Sequence, residues 1–263
     1  MFYMGIVIVA YLLPFIWILW SFIDVKKGDK EKFNRKGPLI LFVVILILSV
    51  VVNFYLSFAY NLSFFQNGFT SMIGLIVIGS LWVIIAIINI ITTVIARQKN
   101  LSKTLHNPKV VWIFSGVFAG TLLIFFLWFM PLGNKISYAV TLNNAISAME
   151  NSSENKEISL VQVLSESDCF RRRNCDEEYK NVFYVRNNLD NTKEVQLQIY
   201  ALDANKEELK VIDSNIMELE PGEIQMVKTE ETNEKRNIWS QPTFKTERRV
   251  VYYKYNYRYR NAE

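Results

Sequence analysis

The chain has 263 residues, a formal net charge of +4, and 51% hydrophobic residues. The average hides an apolar first half, residues 1–133, and a second half, 134–263, composed like a soluble domain, so a wholly water-soluble globule is excluded. With one histidine and two cysteines in the whole chain, the ligand count argues against a zinc cluster, and no metal or other cofactor is expected.

Four stretches without Lys, Arg, Asp, Glu or His come first: 2–23, 39–60, 70–96 and 110–132. A hydrocarbon core of roughly 30 Å needs about 20 apolar helical residues, and each stretch meets that. In lipid every backbone group must be bonded within its own segment, so "LILFVVILILSVVV" is read as helix despite its β-branched residues. The first stretch lacks a preceding basic region and a small-x-small cleavage site, so it reads as a retained helix, with Pro14 expected to kink it.

The first half carries ten Lys or Arg against three acids, and the second half nineteen against 22. The ten cations fall in the loops after the first and third stretches, while "NLSFFQNGF" has none. The positive-inside rule then puts those loops in the cytoplasm and both termini, with residues 134–263, outside. Contact with the lipid bilayer explains the basic loops, and nucleic acid is not an expected partner.

Polar groups within the stretches are few. Asn89 is read either as an interhelical hydrogen-bond partner or as part of a polar pathway. Gly116 and Gly120 form a GxxxG in the fourth stretch, read either as packing inside its own bundle or as association with another subunit or copy. "GNKISYAVTLNNAISAMENSSENKE", residues 133–157, follows, with Ile136, Val140, Asn143 and Ile146 at roughly helical spacing. Residues 134–157 are expected to form a short amphipathic helix or a stalk.

From Ile158 the period becomes two. Strands are expected at 158–166, 181–188, 193–203, 208–213, 223–229 and 248–259, separated by "NNLDN", "DANKE" and "EPGE". In "EVQLQIYAL", Val195, Leu197, Ile199 and Ala201 share one face, and Gln196, Gln198 and Tyr200 the other. The fold class expected is four transmembrane helices followed by an all-β sandwich over 158–263. Cys169 and Cys175, in "CFRRRNC", read as a disulfide outside the membrane, closing a loop that carries Arg171, Arg172 and Arg173. Those arginines are either solvated and balanced by neighbouring acids or a grip for an anionic envelope polymer or a partner's carboxylates.

In the closing run, Val251, Tyr253, Tyr255, Tyr257 and Tyr259 share one face, opposite Val250, Tyr252, Lys254, Asn256, Arg258 and Arg260. Either the tyrosines line the core, or Tyr257, Arg258, Tyr259 and Arg260 project as a binding ribbon.

Asn187 and Asn188 in a turn, the strand carrying Ile199, Leu202 and Asp203, and the later Leu219, Pro221, Gly222 and Glu223 resemble the immunoglobulin-like FxLYD domains of bacterial envelope proteins. The resemblance covers about 50 residues and departs from the family core in having Leu202 before Asp203. It implies an immunoglobulin-like fold and an envelope accessory or adhesion-like module.

His106 has no partners for a triad, and no phosphate loop or paired-acid motif appears. The expectation is a non-enzymatic multi-pass protein of the cell membrane, an accessory subunit whose outer domain binds a protein or envelope polymer. The alternative is a transport or pore-forming subunit with the sandwich as a cap.

Overall fold

A computed structural model of the chain describes residues 2–29, 31–32, 35–66, 68–99, 107–151, 156–167, 178–232 and 237–262. It divides into two compact units, Met1–Ser137 and Tyr138–Glu263.

The first unit is helical: α1 (Phe2–Lys27), α2 (Lys36–Ala59), α3 (Gly68–Gln98) and α4 (Pro108–Ile124). Asn107 starts α4 by accepting from the Lys109 N–H through its side-chain oxygen (3.2 Å), and Pro108 takes the first helical position, where no N–H is needed. α4 passes through a π turn, Phe125–Phe129, into α5 (Met130–Asn151). The expected end at 132 is therefore absent. A run of 43 residues, Pro108–Glu150, stays helical, and the expected stalk begins as its continuation. At 1.5 Å per residue that is about 64 Å, roughly twice a hydrocarbon core. Among the described residues, four helices are long and apolar enough to cross a membrane.

The π turn is packed by aromatic rings. Tyr11 is 3% exposed and sits among Phe15, Phe42, Phe125 and Phe129. Its hydroxyl donates to the Thr121 carbonyl (2.6 Å), one turn before the widened turn. Gly133 permits a close approach: a Cβ there would lie 2.9 Å from Met4 Sδ and 3.5 Å from Met4 Cα.

The second unit holds two four-stranded antiparallel sheets. In one, β1 (Ile158–Ser167) pairs β2 (Tyr179–Asn187), and β2 pairs β6 (Ile224–Met226) and β7 (Phe244–Thr246). In the other, β3 (Lys193–Leu202) pairs β4 (Glu208–Asp213) and β5 (Met217–Leu219) along one side and β8 (Tyr252–Asn261) along the other. The sheets share a core of Ile158, Leu160, Phe183 and Val185 from the first and Val195, Leu197, Ile199 and Ala201 from the second. The alternation read in "EVQLQIYAL" is thus the observed one.

Two features were not read from the sequence, and a third reverses an expectation. β5 and β7, at three residues each, carry too little periodicity to be read. The outer face of the β1–β2 sheet is covered: Tyr184 and Met226 pack with Ala145 and Met149 of α5. Val250 and Val251 exchange the faces expected of them, Val250 being 2% exposed and in the core and Val251 44% exposed. The Val251 N–H reaches the carbonyl of Leu202 (2.9 Å), the residue opposite Tyr252. Two residues there meet one, and such a bulge shifts side-chain phase by one position.

The residues that carry the family resemblance build turns. Asp203 Oδ1 accepts from the N–H groups of Asn205 (2.8 Å) and Glu207 (3.0 Å), and its Oδ2 from Arg248 (2.7 Å). The Asn187 amide donates to the carbonyls of Asn191 and Leu219 (2.9 Å each). Gly222 has φ +74°, the left-handed conformation that favours glycine, and donates to the Asn187 carbonyl (2.9 Å).

Candidate functional site

Among the described residues, each unit has a place where polar side chains gather.

In the C-terminal unit it is the exposed face of the β4/β5–β3–β8 sheet. Because β3 buries its odd residues, Glu194, Gln196, Gln198 and Tyr200 face outward, and the register sets Arg260, Arg258, Asn256 and Lys254 beside them. Arg258 donates through Nε (2.9 Å) and Nη2 (2.5 Å) to Gln196 Oε1. Arg260 Nε meets Glu194 Oε2 at 2.5 Å. Ile216, 61% exposed, and Tyr259 flank these pairs around a shallow recess of about 250 Å³. A second recess of similar size lies beside it, between Gln198, Asp213 and Asn256. The surface is flat, amide-rich and cationic along β8. It suits hydrogen bonding to an extended polar ligand.

The tyrosine stripe grades from core to surface. Tyr253, Tyr255 and Tyr257 pack against the shared core, with Tyr253 edge-on to Phe183 (5.3 Å between centroids). Successive rings through Tyr259 lie 6.2–6.5 Å apart. The hydroxyls of Tyr253 and Tyr255 donate to the β1 carbonyls of Leu160 (3.0 Å) and Ile158 (3.2 Å). Tyr259 is 37% exposed and donates to Glu157 Oε2 (2.9 Å). That bond to a carboxylate holds the Tyr259 hydroxyl above its ordinary pKa, and burial adds to the shift. The stripe thus faces the core at Tyr253, Tyr255 and Tyr257 and reaches the surface at Tyr259.

In the helical unit the polar centre is Lys135, 1% exposed. Its Nζ donates to Asn53 Oδ1 (2.7 Å) and to the Phe64 carbonyl (2.8 Å), which also accepts from Asn53 Nδ2 (3.0 Å). One helical turn along α2 from Asn53, Ser49 Oγ accepts from Trp128 Nε1 (2.7 Å). Sequence reasoning missed Lys135 because it placed the helix end at 132. The signal was Asn53 in an otherwise apolar stretch, which demands a polar partner from another segment.

Asn89 is 3% exposed, and among the described residues neither atom of its amide has a hydrogen-bond partner. Neither an interhelical bond to Asn89 nor a second polar side chain bonded to its amide is found among the described residues. The neighbouring hydroxyls turn back on their own helix instead: Thr92 donates to the carbonyls of Ile88 and Asn89, and Thr93 to that of Asn89. A Cβ at Gly116 or Gly120 would meet nothing within 4 Å, so neither glycine marks a close backbone approach among the described residues. The close approach is made by Gly133 instead. Cys169, Cys175, Arg171, Arg172, Arg173 and His106 lie outside the described residues.

In comparison with known proteins, no family model, no curated protein and no solved structure matches this chain.

Proposed function

We propose that this is a non-enzymatic, multi-pass protein of the cell membrane that displays a β-sandwich on the extracytoplasmic side to bind a protein or an envelope polymer, as an accessory subunit of a membrane complex. The observation that carries the reading is the exposed sheet face, where Lys254, Asn256, Arg258 and Arg260 lie beside Gln196 and Gln198 with no covering element among the described residues. The cation-rich loops after α1 and α3 support the orientation, with both termini outside. The likeness to FxLYD domains supports an immunoglobulin-like envelope module, and a Cys169–Cys175 disulfide belongs to the same reading. Gly116 and Gly120, with open space where a Cβ would stand, offer a surface on α4 for a partner's helix or a second copy.

The test is crosslinking and pull-down from native membranes with the wild type and with Arg258→Ala/Arg260→Ala. A captured protein or polymer that is lost with the double variant supports the reading. Equal capture by the variant removes the sheet face as the binding site, and capture of nothing removes the binding role.

A second reading, a transport or pore-forming subunit with the sandwich as its cap, is favoured by Lys135 with Asn53 and by the unsatisfied Asn89. Buried ionisable and polar groups in such helices often mark pathways. Ion or solute flux in proteoliposomes that depends on Lys135 and Asn89 is its signature.

A further inference from the structure

Strand β8 is ten residues long, and among the described residues it pairs only with β3, so it forms an edge. Hydrogen bonding within the ladder tells which backbone groups that edge presents. Ala262 N–H donates to the Thr192 carbonyl (3.4 Å), the position opposite it in the register. In an antiparallel pair such mutually bonded positions recur every second residue. The even residues of β8 are therefore bonded to β3, and the N–H and C=O groups of Tyr255, Tyr257 and Tyr259 point to the open side. The neighbouring edge of the other sheet is treated differently: there β1 has its outward carbonyls at Ile158 and Leu160 occupied by tyrosine hydroxyls. Beside β8 runs a groove of about 560 Å³, lined by Met149, Leu160, Tyr255 and Lys254 among others.

We propose that the open edge of β8 accepts an extended, acidic segment of a partner protein as an added strand. This deepens the binding reading above and rests on it. Main-chain bonds to Tyr255, Tyr257 and Tyr259 would supply affinity, as in other strand-addition modes. Charge selects the occupant. Residues of an added strand that lie opposite Lys254, Asn256, Arg258 and Arg260 share their face, and carboxylates there meet a cationic row. A second copy of β8 fits badly. Antiparallel self-pairing centred on Asn256 sets Lys254 opposite Arg258, and centred on Tyr257 sets Lys254 opposite Arg260. Like charges directly opposite are destabilising.

The experiment uses full-length protein in nanodiscs and a labelled decapeptide alternating glutamate with valine. In the favoured register the glutamates lie opposite Lys254, Asn256 and Arg258, and the valines opposite Tyr255, Tyr257 and Tyr259. Valine N–H groups then face the edge and glutamate N–H groups face away. N-methylation of the valines is expected to weaken binding at least tenfold, and N-methylation of the glutamates less than threefold. Exchanging glutamate for lysine should also cost at least tenfold, and Lys254→Glu at least threefold with an unchanged melt. Equal effects of the two methylation patterns, equal binding of the lysine peptide, or a β8-dependent homodimer would overturn the proposal. If capture from native membranes succeeds and depends on Arg258 and Arg260 while the peptide fails to bind, this inference falls and the wider reading stands. Register-dependent peptide binding with nothing captured leaves the edge as a strand acceptor and removes the wider reading.

Discussion

The two units treat apolar side chains in opposite ways. In the C-terminal unit Phe183, Val195, Ile199, Leu219 and Phe244 are fully buried, and exposed large hydrophobics are few. In the helical unit Leu19, Trp20, Phe58 and Ile113 are 64%, 64%, 95% and 68% exposed, and the polar residues Ser49, Asn53, Ser115 and Lys135 are inside. One unit buries its apolar side chains as a domain in water does, and the other exposes them along helices long and apolar enough to cross a membrane. Hydrophobic burial therefore has leverage in the first, and polar satisfaction has it in the second.

Mutations can sharpen or break that contrast. The largest effect is expected at Phe183, which stacks on Phe244 (5.4 Å between centroids) and meets Tyr253 edge-on. Phe183→Ala should destabilise the C-terminal unit by about 3–5 kcal/mol. Phe58→Ala should leave detergent-solubilised protein within about 0.5 kcal/mol of wild type. Comparable losses at the two sites, read by thermal unfolding with limited proteolysis, would erase the contrast.

A middle-sized effect is expected from polar truncation in the helical unit. Lys135→Ala takes the donor from Asn53 Oδ1 and one donor from the Phe64 carbonyl, which should cost about 1–3 kcal/mol. The readout is the melting of the helical unit in detergent. An unchanged melt would show that the buried amide network does not hold the α2–α3 connection.

The smallest effect is pH-dependent. Burial pushes the Tyr184 hydroxyl well above its ordinary pKa. A folded-state pKa above the unfolded value contributes stability that is fully present below the unfolded pKa of about 10 and is lost as pH rises beyond it. Tyr184→Phe, which removes a hydroxyl that meets Thr141 Oγ1 at 3.4 Å and also bonds Tyr138, should cost about 1 kcal/mol or less at pH 7 and should flatten the alkaline decline above pH ~10. Parallel pH–melting curves for wild type and variant would refute the assignment.

The same contrast governs what could be read from sequence. The α1 to α3 stretches were legible from their unbroken apolar length, and the alternation of Val195 to Ala201 from its period of two. The short strands β5 and β7 were not, since three residues hold barely one repeat and their places are fixed by pairing with β3 and β2. Val250 and Val251 were inverted because a bulge is a property of the ladder and leaves no mark in composition. The fourth helix was cut short because Gly133 and Lys135 read as its boundary. In fact Gly133 lies under Met4 and the Lys135 cation is satisfied by Asn53 and Phe64. Of the candidate site, the Tyr and Arg alternation of β8 was visible, whereas its glutamine neighbours on β3 needed the register.

The Tyr253 and Tyr255 hydroxyls have a consequence for long-term solubility. By occupying the carbonyls of Leu160 and Ile158, they deny an incoming chain two acceptors on the apolar stretch "ISLVQV". Unpaired backbone edges of apolar strands are templates for cross-β growth. Tyr253→Phe and Tyr255→Phe keep the rings and the core yet reopen both acceptors. The double variant is expected to shorten the lag of a seeded aggregation assay, and an unchanged lag would show that these two hydroxyls do not guard the edge.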